Sequence, residues 1–214
     1  MTGALVLREL RLAATGGAVL LPLIFFLLVA TLFPFAVGPD SALLARTGGG
    51  ALWMAALLAA LLPIDRLIEP DLSAGVLDQL AVRGVGEETI AFAKLAGHWL
   101  GFGPPLMIAA LPAAALMKLP ADVLLRLELG LLAGTPGLAA LTLIVAAVTA
   151  GLRSGGALAG LLALPVAVPI LIFGAGLVER GADAGALKLL AAVSLLLVAI
   201  APFAVGAAIR AARF

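Results

Sequence analysis

The chain has 214 residues, of which 64% are hydrophobic and only 12% charged, and its net charge is +1. A soluble domain carries roughly 25% charged residues, so most of this surface must face lipid, and nothing in the charge suggests nucleic-acid binding. Cysteine and tyrosine are absent and there is one histidine, which excludes disulfides, thiolate metal sites, CxxCH haem attachment and a cysteine nucleophile.

Residues 3–15 place Arg8, Arg11 and Thr15 on one helical stripe, with Leu5 and Leu12 away from it. This predicts a short N-terminal helix in the membrane interface, a plain basic flank being the alternative. The apolar run from Gly17 to Gly38 exceeds the ~7–15 residues of a signal-peptide core and ends without a small-x-small site, so a retained span is expected. Six apolar segments follow in all, at about 17–38, 48–64, 95–117, 129–150, 155–178 and 187–209. Each approaches the ~20 residues that cross a ~30 Å hydrocarbon core. The third can begin earlier, because Glu87 and Glu88 after Gly86 resemble a first helical turn. The expected fold is an all-α polytopic membrane protein with six transmembrane helices, forming one domain over residues 1–214.

Basic residues set the orientation. With a cytoplasmic N-terminus, Arg8, Arg11, Arg66, Arg83, Lys94, Arg153, Arg210 and Arg213 lie inside, while Arg46, Lys118, Arg126, Arg180 and Lys188 lie outside. Eight against five favours both termini inside. Trp99, beside Lys94 and His98, fits the inner interface with one wet edge. Pro104, Pro105, Pro112, Gly134-Thr135-Pro136, Pro165, Pro169 and Pro202 are expected to interrupt their spans, and at least one of these breaks to serve a mechanical purpose.

The centres of these six segments hold no ionisable side chain, which argues against a proton- or sodium-coupled carrier. There is no HExxH, no GxSxG and no GxxxxGK[ST]. The chain is therefore not expected to be an enzyme and, if it is driven by ATP, another subunit supplies it. Between the second and third spans, by contrast, nine of the 25 acidic or basic residues fall from Asp65 to Lys94. Within that stretch Asp71 or Ser73 can cap a short helix whose Val76, Leu77, Leu80 and Ala81 form an apolar face. Asp78 and Gln79 project from the other side. A soluble partner that moved such a helix would tilt both spans; a solvated connection lying on headgroups is the bland alternative. His98 is the one imidazole that could ligate haem iron, against the commoner role of an interfacial hydrogen-bonder.

Ordered matches then carry a family resemblance. They include Arg8-Glu9-Leu10-Arg11, Leu32-Phe33-Pro34-Phe35-Ala36-Val37-Gly38-Pro39, Asp65-Arg66-Leu67, Gly75-Val76-Leu77-Asp78-Gln79-Leu80, Lys94-Leu95-Ala96-Gly97-His98-Trp99 and Gly151-Leu152-Arg153. The chain resembles the haem exporter protein B (CcmB) family of bacterial cytochrome c maturation. It departs from the family at Ala81 to Glu88, where a proline-rich apolar stretch is usual, and at Gly97, where alanine is usual. The resemblance implies an ABC-2-like permease in the bacterial inner membrane. Its implied partners are a second copy of itself, two copies of an ABC ATPase subunit, a haem-handling membrane protein, a small single-span subunit and a periplasmic haem chaperone. Haem would be cargo, or ATP would be used to release the haem-loaded chaperone. Asp65, Arg66, Glu69, Asp71, Asp78 and Gln79 would contact the ATPase. The alternatives are a generic ABC-2-type exporter permease for lipid or saccharide, and a non-transporting scaffold that remodels a haem-protein complex.

Overall fold

A computed structural model describes residues 2–15, 17, 19–38, 40–152, 155–179 and 184–213. Arg153, Arg180 and Pro39 therefore lie outside the described residues, as does the side chain of Thr15. The described residues form nine α-helices and one 3-10 turn, with no strand among them. In order these are α1 (Thr2–Thr15), α2 (Leu20–Val37), α3 (Ser41–Leu61), the turn Ile64–Arg66, α4 (Glu69–Ser73), α5 (Val76–Val82), α6 (Glu87–Leu116), α7 (Ala121–Thr149), α8 (Gly155–Val178) and α9 (Ala184–Ala212). Six helices, α2, α3, α6, α7, α8 and α9, are long and apolar enough to cross a membrane.

Two spans start earlier than expected. Helix α3 begins at Ser41 rather than near residue 48, capped by Asp40, whose carboxylate accepts from the backbone N–H of Ala42 at 2.8 Å and Leu43 at 3.2 Å. The run Gly48-Gly49-Gly50 reads locally as a break, but Gly48 and Gly49 are buried contact positions. A Cβ on Gly48 would stand 2.9 Å from that of Met117, and one on Gly49 would run into Val178. Helix α7 begins at Ala121, straight after Pro120, and its early charges pair internally, with Arg126 reaching Asp122 at 2.6 Å.

The expected interruptions do not occur: Pro104, Pro105, Pro112, Pro136, Pro165, Pro169 and Pro202 all lie inside continuous helices. Packed neighbours can take up what a proline frees. Next to Pro136, Trp99 Nε1 donates to Thr135 Oγ1 at 3.1 Å. That bond also corrects the expectation for Trp99, whose N–H is met by α7 rather than by water.

Helix α7 is central and packs on α3, α6, α8 and α9. Trp53 of α3 is fully buried there, in a slot made by glycines. A Cβ on Gly134 or Gly174 would come within 2.6 Å of its ring, and one on Gly130 within 3.1 Å. Lipid offers no hydrophobic gain for bringing helices together, so close approach across small residues supplies the attraction.

Helix α1 lies against α6 rather than alone in an interface. A Cβ on Gly97 would overlap Glu9, and one on Gly101 would stand 3.5 Å from that of Ala13, so one turn of α1 matches one turn of α6. The C-terminal turn of α9 reaches the same end of the bundle, through Arg213 to Asp78 at 2.6 Å. Both ends of the described chain thus meet the segment between α3 and α6.

Candidate functional site

The segment 62–86 is built to turn sharply several times. Pro63 follows the end of α3, Pro70 sits in the first turn of α4, and Gly75 and Gly84 adopt φ of 69° and 75°. The expected cap is corrected here. Asp71 and Ser73 lie inside α4, and α5 starts after left-handed Gly75 with no side-chain cap. The Asp71 carboxylate is engaged elsewhere. The apolar face is as read: Leu77 is buried, Val76, Leu80 and Ala81 are partly buried, and Asp78 and Gln79 are exposed.

Asp71 is only 7% exposed and holds two cations. Arg8 grips it with both terminal nitrogens, at 3.0 Å and 2.5 Å, while Lys94 Nζ reaches it at 2.5 Å. Lys94, itself 4% exposed, also donates to the Leu67 carbonyl at 2.8 Å and to Glu9 at 3.3 Å. Arg8 completes the ring by reaching Glu9 at 2.6 Å. Two positive and two negative groups therefore neutralise one another and join α1, α4 and α6. The hydrogen bond from Arg8 to Asp71 raises the guanidinium pKa above its ordinary value against the opposing effect of burial.

A second set of pairs, closer to solvent, joins α5, α6 and α9. Arg213 binds Asp78 at 2.6 Å and Glu87 at 3.0 Å, and Arg210 binds Glu88 at 2.7 Å. A third tie runs to the α7–α8 connection, where the backbone N–H of Gly151 donates to Glu69 at 2.7 Å. Asp65 and Glu69 border a cleft of about 280 Å³ that also involves Thr149 and Gly156. The short helices α4 and α5 are thereby fastened to α1, α6, α9 and the α7–α8 connection together.

The expected contact residues consequently occupy different settings. Asp78 and Gln79 are exposed side by side on α5, next to Val82, which is 88% exposed. Asp65 and Arg66 are exposed on the 3-10 turn, Glu69 holds Gly151, and Asp71 is buried in the ion ring. Sequence reasoning missed Glu9, Arg210 and Arg213 as partners, and read Arg8 and Lys94 as orientation and interface charges rather than as members of an ion ring. The one available signal was the scarcity of cations, 13 Lys and Arg in 214 residues, which leaves a carboxylate such as Asp71 few partners.

His98 shares the buried face of α6 with Lys94. It is 7% exposed, its ring centroid lies 5.0 Å from that of Phe102, and Nε2 has no hydrogen-bond partner among the described residues. That nitrogen suits a ligand. On the same helix Met107 lies nine positions further on, roughly 13 Å along the axis, too far to share an iron with His98. Among the described residues no group of three or more His, Cys, Asp or Glu is placed to hold a metal ion.

Comparison with known proteins agrees over nearly the full length. A family model described as CcmB protein matches residues 1–212. Heme exporter protein B of Rhodobacter capsulatus is 49% identical over 212 residues, covering 97% of each chain. The protein of that name from Haemophilus influenzae is 42% identical over 208 residues, covering 95% of this chain and 94% of its own. That of Escherichia coli K12 is 38% identical over 207 residues, covering 94% of both. A helical bundle with six candidate spans, a charged segment clamped between α3 and α6, and these matches from end to end together make the chain a member of the CcmB family.

Proposed function

We propose that the chain is a single permease unit of an ABC transporter complex for cytochrome c maturation in the bacterial inner membrane, with both termini cytoplasmic. In this reading α5 is the coupling element on which a separate ATPase subunit docks. The observation that carries it is the fastening of α4 and α5 to four other parts of the bundle by Asp71, Asp78 and Glu69. A push on the exposed Asp78–Gln79 face would be transmitted through those ties to α1, α6, α9 and the α7–α8 connection. Asp65 and Arg66 are exposed on the preceding turn, and Asp71 acts behind the α5 face as the anchor.

The relatives are named for haem export, and haem is the cargo proposed here, with release of a haem-loaded chaperone as the other use of the same motion. A second copy of the chain, a haem-handling membrane protein and a small single-span subunit complete the proposed assembly. Purification from membranes with identification of the associated proteins tests it. Recovery of a P-loop ATPase that is lost on Asp78→Lys with Gln79→Lys is expected, and unchanged recovery would remove the coupling role of α5. Vesicles carrying the complex, ATP and haem separate export from chaperone release, since only export gives ATP-dependent haem flux. Haem ligation by His98 has the partnerless Nε2 as its support, and a haem absorbance band lost in His98→Ala would establish it.

A further inference from the structure

Helix α9 is held by different neighbours along its length. Its N-terminal half is seated on α7: a Cβ on Gly134 would stand 3.1 Å from Leu190, and one on Gly137 2.8 Å from the Cα of Ser194. Leu190 and Ser194 are both buried. Val148 follows Gly137 by three turns on nearly the same line of α7, yet it is 55% exposed, so that line is uncovered toward the end of α7. The C-terminal half of α9 is held by the first turn of α6. A Cβ on Gly206 would stand 3.4 Å from the backbone nitrogen of Glu88, while Arg210 and Arg213 pair with Glu88 and Glu87.

Pro202 stands between the two holds. It has no N–H to offer the Val198 carbonyl, so the helix lacks one rung there. Ile200 and Phe203, on either side of it, are 46% and 68% exposed, which leaves room for a bend. Among the described residues, the side-chain bond that leaves α5 runs to this half of α9. Arg213 Nε donates to Asp78 at 2.6 Å and its Nη1 donates to Glu87 at 3.0 Å, so one guanidinium joins α5, α6 and α9. The planar fork fixes the direction of both bonds. The ion ring and the Glu69 bond start from α4 instead.

We infer that the C-terminal half of α9 is a lever that follows α5 through Arg213 and bends at Pro202, while the N-terminal half stays seated on α7. The arm from Pro202 to Arg213 is roughly 16 Å long, so a bend of ~20° swings its end by about 5 Å. Arg213 acts through Asp78, as a positioning residue. What drives α5 rests on the docking reading above, but the lever can be tested with no motor present.

The full chain has no cysteine, so spin labels can be placed in pairs. Val148→Cys with Ala211→Cys follows the arm, and Val148→Cys with Leu195→Cys follows the seated half. Asp78→Lys sets a cation against Arg213 and should shift the first distance by about 5 Å while leaving the second unchanged. Adding Arg213→Gln should cancel the shift. Adding Pro202→Ala, which restores the missing rung, should cut it to roughly half or less. In the chain with native Asp78, the ATPase subunit with ATP should move the first distance alone. A bound motor that leaves it unmoved would overturn the lever and spare the docking reading. A motor that fails to bind would overturn the docking reading, with the Asp78→Lys comparison still deciding the lever. No shift in Asp78→Lys, equal shifts of both distances, or a full shift in the presence of Pro202→Ala would each overturn the inference.

Discussion

Lys94 Nζ stands 2.5 Å from Asp71 Oδ2, with only 4% and 10% of the two side chains exposed. Removing both charges from water is costly, and the ring with Arg8 and Glu9 offsets that cost by leaving no charge unmatched. The pair is therefore a device for specifying where α4 sits on α6. It would be poor evidence for high stability by itself.

Breaking the ring from one side should be severe. Lys94→Met leaves Asp71 and Glu9 sharing Arg8 alone, and the loss expected is about 3–5 kcal/mol. Asp71→Asn should do comparable harm by leaving Lys94 under-neutralised. Lys94→Met combined with Asp71→Leu should cost less than the sum of the single changes, because it removes opposite charges together. Unfolding in detergent, followed by tryptophan fluorescence, provides the comparison. Additive losses would mean that the two side chains do not act as a pair.

A second prediction concerns the approach of α1. Gly97 leaves no room for a Cβ beside Glu9. Gly97→Val should therefore lift α1 from α6 at a cost of about 1–3 kcal/mol. The chain has no native cysteine, so Ala13→Cys with Gly101→Cys, whose Cβ atoms would stand 3.5 Å apart, provides a crosslinkable pair outside the ion ring. Crosslinking should be efficient in that background and fall sharply when Gly97→Val is added. Equal yields would show that α1 is held without the close contact.

The six spans were legible because length and hydropathy report directly on the lipid that surrounds them. Their starts were less so. Gly48-Gly49-Gly50 carries the same letters whether a helix is broken or merely crowded, and only Met117 and Val178, distant in sequence, decide which. Asp122 and Arg126 read as a polar loop until their i,i+4 pairing is seen within α7. The short helix α5 was visible in the alternation of Leu77 and Leu80 with Asp78 and Gln79, a local pattern. The burial of Asp71 was not visible, because it is fixed by Arg8, 63 residues earlier, and by Lys94, 23 residues later.

The Trp53 slot gives a third prediction. Gly134→Ala and Gly174→Ala each push a methyl group into the indole, and each should cost about 1–3 kcal/mol. Replacing the ring by a smaller side chain, Trp53→Leu, should be destabilising alone yet soften the effect of Gly174→Ala. Apparent melting temperatures of the four proteins decide it. A Gly174→Ala variant as stable as the parent would mean that α8 is not tightly seated on α3.

The last prediction separates the anchor from the docking face. Asp78 is 61% exposed and its bond to Arg213 is screened by solvent, so Asp78→Lys should change stability by no more than about 1 kcal/mol. Gln79→Lys, which removes no ion pair because glutamine is neutral, should be similarly mild. Both should nevertheless reduce the ATPase rate and the recovery of a motor subunit bound to α5. Asp71→Asn should lower stability first and coupling only as a consequence, because its carboxylate faces inward. Raising salt from low to physiological strength shortens the reach of exposed charges to about 8 Å, so motor association should weaken while the Lys94–Asp71 pair persists. If Asp78→Lys and Gln79→Lys left both ATPase rate and association intact, the motor would have to act elsewhere, and the ties gathered on α4 and α5 would serve only to hold the bundle together.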